Sequence, residues 1–313
     1  MTPCTGLIPR FHRLLVATDF SPASHAAFRA ALATCAAFHA SLVILNVFEY
    51  ASVVPAQAGL LTPEPGSQMP ELEALCQRSR RSLEDLRVQA VHAGLACETV
   101  LEAGLASEAI LDTIDGRGID LAILGTNALH GFERLVFGST AEDVLRKSPC
   151  PVLTVGPQAA AAAAPPAGPI VFATDFDFTT IDAIRYAASF SHLADAPLHC
   201  LHVLPRTLEA GERPDVVPAI MVDALQQLVT ESGVVIRPPV CATAYGSEVS
   251  HAVVDYARRS HAGLIVLGVR QASMLASHIP EHIAYRIIAE APCPVLTQAF
   301  AVRHHPSLLA ACL

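Results

Sequence analysis

The sequence predicts an α/β protein made of two tandem doubly wound domains, each a five-stranded parallel sheet with helices on both faces. Short, almost wholly apolar runs alternate with helical patterns, which is typical of parallel strands buried on both faces. The pattern also occurs twice. Val16–Phe20 (VATDF) returns as Phe172–Phe176 (FATDF), and Pro149–Thr154 (PCPVLT) returns unchanged as Pro292–Thr297.

Local patterns predict each element of the first repeat. The dipeptide Ser21-Pro22 marks a helix start, and the alanine-rich segment after it has helical spacing. The Pro- and Gly-rich segment Tyr50–Pro70 predicts a mobile loop over the sheet edge. The predicted strands are Leu14–Thr18, Leu42–Phe48, Cys97–Leu101, Asp120–Leu124 and Val152–Val155, and the predicted helices are Ala23–Phe38, Leu72–Ala93, Ser107–Ile114 and Thr140–Lys147.

The second repeat has the same order of elements. Its predicted strands are Ile170–Thr174, Leu198–Val203, Val234–Cys241, Leu264–Leu267 and Val295–Thr297, and its predicted helices are Thr180–Leu193, Val216–Thr230, Glu248–Arg259 and Glu281–Ala289. An Ala- and Pro-rich stretch between the repeats predicts an exposed linker. We therefore expect a first domain at 1–156, the linker at 157–168, a second domain at 169–298 and a tail at 299–313, of which 302–313 follow no interpretable pattern.

The composition argues against several classes of protein. The net charge of −9 disfavours a nucleic-acid binder, which needs a basic face. Lys147 is the single lysine, so the chain lacks the Gly-Lys-Ser/Thr end of a Walker loop. No run reaches the roughly 18 to 20 apolar residues of a membrane span, and no signal peptide is recognisable. We expect a cytoplasmic protein without nucleic-acid or membrane partners.

The cysteines, histidines and serines form no recognisable metal-binding or catalytic motif. The nine cysteines include no Cys-x-x-Cys pair, which favours reduced and mostly buried thiols. His199 and His202 lie on one predicted strand and His304-His305 lie in the tail, and we interpret them as surface or core residues rather than a metal site. Without a Gly-x-Ser-x-Gly elbow or an evident general base, no catalytic residue is assigned, and any hydrolysis is expected to be slow.

An anion-binding loop is predicted after the fourth strand. In an open parallel sheet, ligands bind at the carboxyl ends of the strands, near the point where the strand order reverses. The segment Gly125–Thr140 follows such a strand and ends with Gly138-Ser139 at a helix start. Glycines let backbone N–H groups approach an anion, and a helix N-terminus adds a favourable dipole. This loop can hold phosphates without a lysine.

The whole chain resembles a tandem universal stress protein. The resemblance rests on Ala17–Ser21 (ATDFS), on a loop of the type Gly-x-x-Gly-x9-Gly-Ser and on the closing PCPVL, in family order over residues 10–156 and 168–298. In ATP-binding members of that family, the nucleotide lies between the first and fourth strand ends. The resemblance therefore implies a nucleotide site with the adenine near Ala17 and Val47 and the ribose near Asp19. The full implied set is Ala17, Thr18, Asp19, Val47, Leu124, Gly125, Ala128, Gly138, Ser139 and Thr140.

Two departures from the family pattern affect this site. Ala128 stands where the loop has its second glycine, so a positive φ there costs about 1 kcal/mol or more. In the second repeat, Glu281-His282 replaces Gly138-Ser139, and a carboxylate at a helix N-terminus repels phosphate. We expect ATP, with or without Mg²⁺, in the first domain and no cofactor in the second, although Asp175 matches Asp19.

Asp19 and Ser139 each allow two interpretations. Asp19 is a candidate ligand for ribose or Mg²⁺, and it is also a common residue type for a turn before a helix. Ser139 is a candidate phosphate donor and also a candidate helix cap. The two roles of Ser139 are compatible, because an N-cap faces the same anion site.

The resemblance implies a stress or signalling protein that responds to an adenine nucleotide. Because no general base or activated nucleophile is evident, we do not expect an enzyme. An alternative of a different class is a ligand-free dimerisation or interaction module. In this alternative, Ala128 prevents nucleotide binding in the first repeat as well. In this family the last strands pair, so Val152–Val155 and Val295–Thr297 are expected to join the two repeats. A homodimer of the whole chain is implied as well, and any protein partner is unidentified.

Overall fold

The computed structural model describes residues 9–48, 69–126, 129–131, 134–136, 138–159, 168–177, 183–209, 215–233, 237–271 and 280–301. The first repeat contains β1 (Arg13–Ala17), α1 (Pro22–Phe38), β2 (Ser41–Phe48), α2 (Met69–His92), β3 (Cys97–Ala103), α3 (Ala106–Gly116), β4 (Leu121–Gly125), β5 (Leu129–Gly131), β6 (Arg134–Val136), α4 (Ser139–Lys147) and β7 (Val152–Val155). The second repeat contains β8 (Ile170–Ala173), α5 (Ile184–Leu193), β9 (Leu198–Pro205), a 3₁₀ turn (Arg206–Leu208), α6 (Val216–Ser232), β10 (Val240–Gly246), α7 (Val249–Arg259), β11 (Leu264–Gln271), α8 (Pro280–Glu290) and β12 (Val295–Ala301).

Ten of these strands form one sheet in the order β10-β9-β8-β11-β12-β7-β4-β1-β2-β3. The strands are parallel within each repeat. Between the repeats, β7 and β12 pair antiparallel, with Leu153 opposite Leu296. The predicted fold class is confirmed, and so is the expected pairing of the last strands.

Helices cover both faces of this sheet because the strand side chains alternate between two apolar cores. Leu14 and Val16 point into the core under α1, α2, α5 and α6, whereas Leu15 points into the core under α3, α4, α7 and α8. All three side chains are fully buried. Strands in the middle of the sheet, such as β1 and β4, therefore need apolar residues at successive positions, which is the continuous pattern that their sequences carry.

An aromatic cluster joins the repeats on the first of these faces. Phe11, just before β1, is 2% exposed, and its ring centroid lies 4.9 Å from that of Phe38 at the end of α1. The rings of Tyr186 and Phe190 on α5 lie 5.9 and 5.8 Å away. The hydroxyl of Ser189 also donates to the carbonyl of Pro9 at 2.5 Å. The segment before β1 thus packs against both repeats.

Several predicted boundaries differ from the structure. Of the strand predicted at Val234–Cys241, residues 234–236 lie outside the described residues, and β10 begins at Val240 after Pro238 and Pro239, which have no N–H group for a sheet ladder. Neither the hairpin β5–β6 nor the extension of β12 to Ala301 is predicted by the sequence. The linker prediction needs a correction at Ala159, which is fully buried.

Some predicted segments fall outside the described residues. These include most of the predicted loop at 50–70, the linker at 160–167, the first residues of the helix predicted from Thr180, and the tail from 302. Within the described part of the chain, no helix is both long and apolar enough to cross a membrane.

Candidate functional site

The first repeat has a cleft of about 490 Å³ at the carboxyl ends of β1, β2 and β4. In the sheet order, β1 lies between β4 and β2, so the strand order reverses here. The strands supply Ala17, Val47 and Leu124 to the cleft, and the helices α2, α3 and α4 supply its walls. This volume lies within the range of about 300 to 1,000 Å³ that is usual for pockets binding small molecules and cofactors.

A tight turn after β1 forms one side of the cleft. Phe20 has a φ of 63°, an uncommon left-handed conformation for a residue other than glycine. Its N–H donates to the Thr18 hydroxyl at 3.0 Å, and the N–H of Ser21 donates to the Asp19 carboxylate at 3.0 Å. Ser21 then caps α1 by accepting from the N–H of Ser24. The turn role considered for Asp19 is therefore present in the structure.

The carboxylate of Asp19 is exposed at the rim of this cleft. Partial burial acts to raise the pKa of Asp19, but hydrogen bonds from Ser21 and Ser24 outweigh it and hold the pKa below its ordinary value. Asp19 is the single ionisable group among the described lining residues. The described wall of the cleft is therefore uncharged except for one negative charge.

Asn46 lines the cleft, although it is not among the site residues that the sequence predicts. The side chain is 5% exposed, and its amide nitrogen Nδ2 donates to the carbonyl of Thr18 at 2.7 Å. Its amide oxygen Oδ1 has no hydrogen-bond partner among the residues that the structure describes. The available signal was a polar amide within the otherwise apolar run Leu42–Phe48, directly before the predicted site residue Val47.

Gly125 ends β4 where the strand touches the start of α1. A Cβ atom at this position would overlap the carbonyl group of Ala23. The glycine is thus required for close packing, in addition to any contact with a ligand. At the other end of the loop, Gly138 is the N-cap of α4 and Ser139 is its first helical residue, which corrects the cap role considered for Ser139.

The structure brings seven of the ten predicted site residues together around the cleft: Ala17, Thr18, Asp19, Val47, Leu124, Gly125 and Thr140. Gly138 and Ser139 lie at the exposed start of α4 and do not line the cleft directly. Ala128 lies outside the described residues. Lining residues that the sequence analysis missed are Phe20, Ser24, Leu45, Asn46, Phe48, Leu75, Ser79, Ala106, Ile110 and Ala141.

The second repeat has a corresponding cleft of only about 170 Å³. The turn after its first strand repeats the geometry of the first copy. Phe176 has a φ of 62°, and its N–H donates to the Thr174 hydroxyl at 3.0 Å. His202 takes the place of Asn46, because its Nδ1 lies 2.8 Å from the carbonyl of Thr174. A carbonyl accepts only, so Nδ1 carries the proton in this contact.

Two lining positions carry larger side chains in the second cleft. The first residue of α3 is Ala106, whereas the first residue of α7 is Val249. Thr140 precedes Ala141 on α4, and Ile283 occupies the matching position on α8. Both changes put a larger apolar group into the second cleft. Val249 and Ile283 remain 43% and 37% exposed at its mouth.

Curated relatives each correspond to about half of this chain. The universal stress protein YxiE of Bacillus subtilis is 28% identical over 146 residues, which cover 46% of this chain and 99% of the relative. The universal stress protein MJ0531 of Methanocaldococcus jannaschii is 28% identical over 145 residues, which cover 46% and 82%.

Solved structures share the fold along nearly the whole chain. A universal stress protein from Archaeoglobus fulgidus matches with a TM-score of 0.70 at 17% identity, over 91% of this chain and 97% of that one. The functionally unknown protein PA1789 from Pseudomonas aeruginosa matches with a TM-score of 0.56 at 16% identity, over 93% of each. The profile of the Universal stress protein family matches twice, at residues 10–156 and 167–297. The chain therefore belongs to the universal stress protein family and carries two of its domains.

Proposed function

We propose that the first repeat binds an adenine nucleotide and that the protein acts as a nucleotide-responsive stress protein. The observation that carries this proposal is the cleft of about 490 Å³ at the strand-order reversal, lined by most of the residues that the family resemblance implies. ATP with Mg²⁺ is the ligand that the resemblance favours. The division into domains at 1–156 and 169–298 is part of the same proposal.

Within this cleft, we place the adenine against Ala17 and Val47 and the ribose near Asp19. The buried oxygen Oδ1 of Asn46 supports this placement, because an unpaired acceptor costs free energy that an N–H or O–H donor of a ligand recovers. The amide orientation is fixed by the bond from Nδ2 to the Thr18 carbonyl.

The phosphates belong, in this proposal, at the N-terminus of α4. Its N-cap is Gly138, and no side-chain hydrogen bond caps the helix among the described residues. The first N–H groups of α4, at Ser139 and Thr140, are therefore open to an anion, and the helix dipole favours negative charge there. Gly125 and Leu124 form the floor beside this helix start. Ala128 remains a predicted loop contact.

The second repeat, in this proposal, binds no nucleotide. Its cleft of about 170 Å³ lies below the usual range for small-molecule pockets. The sequence also has Glu281 at the start of the last helix of this repeat, and a carboxylate near a helix N-terminus opposes phosphate binding. We assign this half a structural or partner-binding role.

We assign no catalytic role to the first cleft. Asp19 is the ionisable group in its described lining, and its lowered pKa makes it a weak general base at neutral pH. Slow hydrolysis of ATP is compatible with this arrangement. A homodimer of the whole chain is part of the proposal, and light scattering at high concentration tests it.

Calorimetric titration of the nucleotide-stripped protein with MgATP tests the function. We expect binding near one equivalent per chain, abolished by Val47→Trp, which fills the first cleft. The matched control is Val203→Trp, at the equivalent position lining the second cleft, which should leave the titration unchanged. If Val47→Trp bound as well as the parent, the site assignment would be wrong.

A second variant separates phosphate recognition from adenine recognition. Gly138→Asp introduces the kind of charge that the second repeat carries at Glu281, and we expect at least a tenfold loss of MgATP affinity with a smaller loss for adenosine. Ser139→Ala should weaken MgATP binding less. No heat with any nucleotide, together with no thermal stabilisation, would favour the ligand-free interaction module.

A further inference from the structure

Two cysteines lie side by side on neighbouring strands of the second repeat. Cys200 on β9 and Cys241 on β10 are direct register partners, and both side chains contact the same apolar core. Neighbouring strands lie about 4.8 Å apart, within the 4.4 to 6.8 Å between Cα atoms that a disulfide spans. The first repeat has Ile44 and Thr99 at this pair of positions. The thiol pair is thus specific to the second repeat.

The two thiols, which are register partners, differ in exposure. Cys200 is fully buried, whereas Cys241 is partly exposed on β10, the strand that ends the sheet. A hydrogen bond from the Cys200 thiol lowers the pKa of Cys241, whereas the same bond and burial raise the pKa of Cys200. The thiol that ionises first is therefore the one that a dissolved oxidant reaches.

We propose that Cys200 and Cys241 are an oxidation site that closes to an intramolecular disulfide when the protein meets a peroxide. The Cys241 thiolate attacks one peroxide oxygen, the O–O bond breaks, and the second oxygen leaves as water after protonation. Cys241 is then a sulfenic acid. The Cys200 sulfur attacks the Cys241 sulfur, the S–O bond breaks, and the hydroxyl leaves as water with the Cys200 proton. In total, two thiols lose two electrons, and hydrogen peroxide is reduced to two water molecules.

The parallel strands make this disulfide easy to reduce. The Cβ atoms of register partners on parallel strands stay about one strand spacing apart, which is wider than the roughly 3.8 Å usual in disulfides. Closing the bond draws β10 toward β9, and such strain raises the reduction potential. Because β10 ends the sheet, it can shift without pulling a further strand. We therefore expect a reversible modification.

Treatment of the reduced full-length protein with hydrogen peroxide, followed by mass spectrometry, tests the proposal. We expect the mass to fall by two hydrogens, and the thiols titrated in denaturant to number two fewer than the nine of the sequence. Peptide mapping should find Cys200 linked to Cys241, and dithiothreitol should restore both thiols. These measurements use the protein without substitutions, so they test the proposal even if the cysteine variants fold poorly.

Variants give the matched comparison. Cys241→Ser and Cys200→Ser should each abolish the disulfide. Cys97→Ser should retain it, because Cys97 is also a partly buried strand thiol but faces Leu42 in the register. The proposal is overturned if peroxide converts Cys241 to sulfinic acid without a linked peptide, or if the linked cysteines are a different pair.

Discussion

The clefts of the two repeats share the same turn after the first strand but differ in volume. In both, a threonine hydroxyl accepts from a phenylalanine N–H at 3.0 Å, and the phenylalanine has a φ near 60°. An aspartate carboxylate accepts from the N–H two residues on at 3.0 Å in both copies. The helices around the turn differ, and the volumes are about 490 and 170 Å³. The Thr-Asp-Phe motif thus specifies a backbone turn, while the surrounding side chains decide what fits beside it.

The largest expected effect concerns the contact that holds the repeats together. Phe11→Ala removes a ring that touches Phe38 of the first repeat and Phe190 of the second. We expect a loss of about 3 to 5 kcal/mol in the free energy of unfolding, measured by urea denaturation. Val91→Ala, at an exposed position on α2, is the control and should change it by less than about 0.5 kcal/mol. A loss below about 1 kcal/mol would show that the cluster does not couple the repeats.

Gly125→Ala tests the close packing under the first cleft. The added Cβ overlaps the Ala23 carbonyl, so the end of β4 and the start of α1 must move apart. We expect a loss of about 1 to 3 kcal/mol in stability together with weaker nucleotide binding. Gly138→Ala is the matched control for stability, because a Cβ there meets no atom within 4 Å and the φ of −61° suits alanine. Equal thermal stability of the two variants would contradict the packing role of Gly125.

An exchange of wall residues tests why the clefts differ. The double variant Ala106→Val and Thr140→Ile gives the first cleft the larger groups found at Val249 and Ile283 of the second. We expect MgATP affinity to fall about tenfold or more, which is about 1.4 kcal/mol. The reciprocal change, Val249→Ala and Ile283→Thr, should enlarge the second cleft and leave the affinity of the first unchanged. If the Ala106→Val and Thr140→Ile variant bound MgATP with unaltered affinity, these two positions would not explain why the clefts differ.

The smallest effect is the acid dependence contributed by Asp19. The pKa of Asp19 in the folded protein lies below the ordinary value of 3.8. The ionised carboxylate therefore stabilises the fold fully above about pH 3.8, and this stabilisation is lost as the pH falls through the pKa of the folded state. The group is exposed, so Asp19→Asn should cost less than about 1 kcal/mol at pH 7, and the difference should shrink below about pH 4.

A matched variant separates this structural role of Asp19 from a ligand role. Asp19→Asn keeps an oxygen for the Ser21 N–H but removes the charge, and we expect weaker nucleotide binding from it. Asp175→Asn, in the same turn of the second repeat, should leave nucleotide affinity unchanged. Equal affinity of both variants would leave Asp19 with its turn role alone.

Much of the fold was predictable because its signals are local. Continuous apolar runs such as Leu121–Gly125 report strands buried on both faces, and the capping Ser21 reports the start of α1. The repeated motifs predicted two copies, and the resemblance supplied the antiparallel pairing of β7 with β12. The two prolines before Val240 were visible in the sequence and should have moved the start of that strand.

The features that the sequence did not predict depend on contacts between residues far apart in the chain. Asn46 reaches the Thr18 carbonyl across 28 positions, and Phe11 contacts Phe190 of the other repeat. The register that sets Cys200 beside Cys241, and the side chains that narrow the second cleft, likewise follow from how strands and helices pack together. Hydrophobic periodicity and turn residues indicate whether a segment forms a helix, a strand or a turn. Cavity volume and side-chain pairing depend instead on the distances between packed elements, and local sequence does not encode those distances.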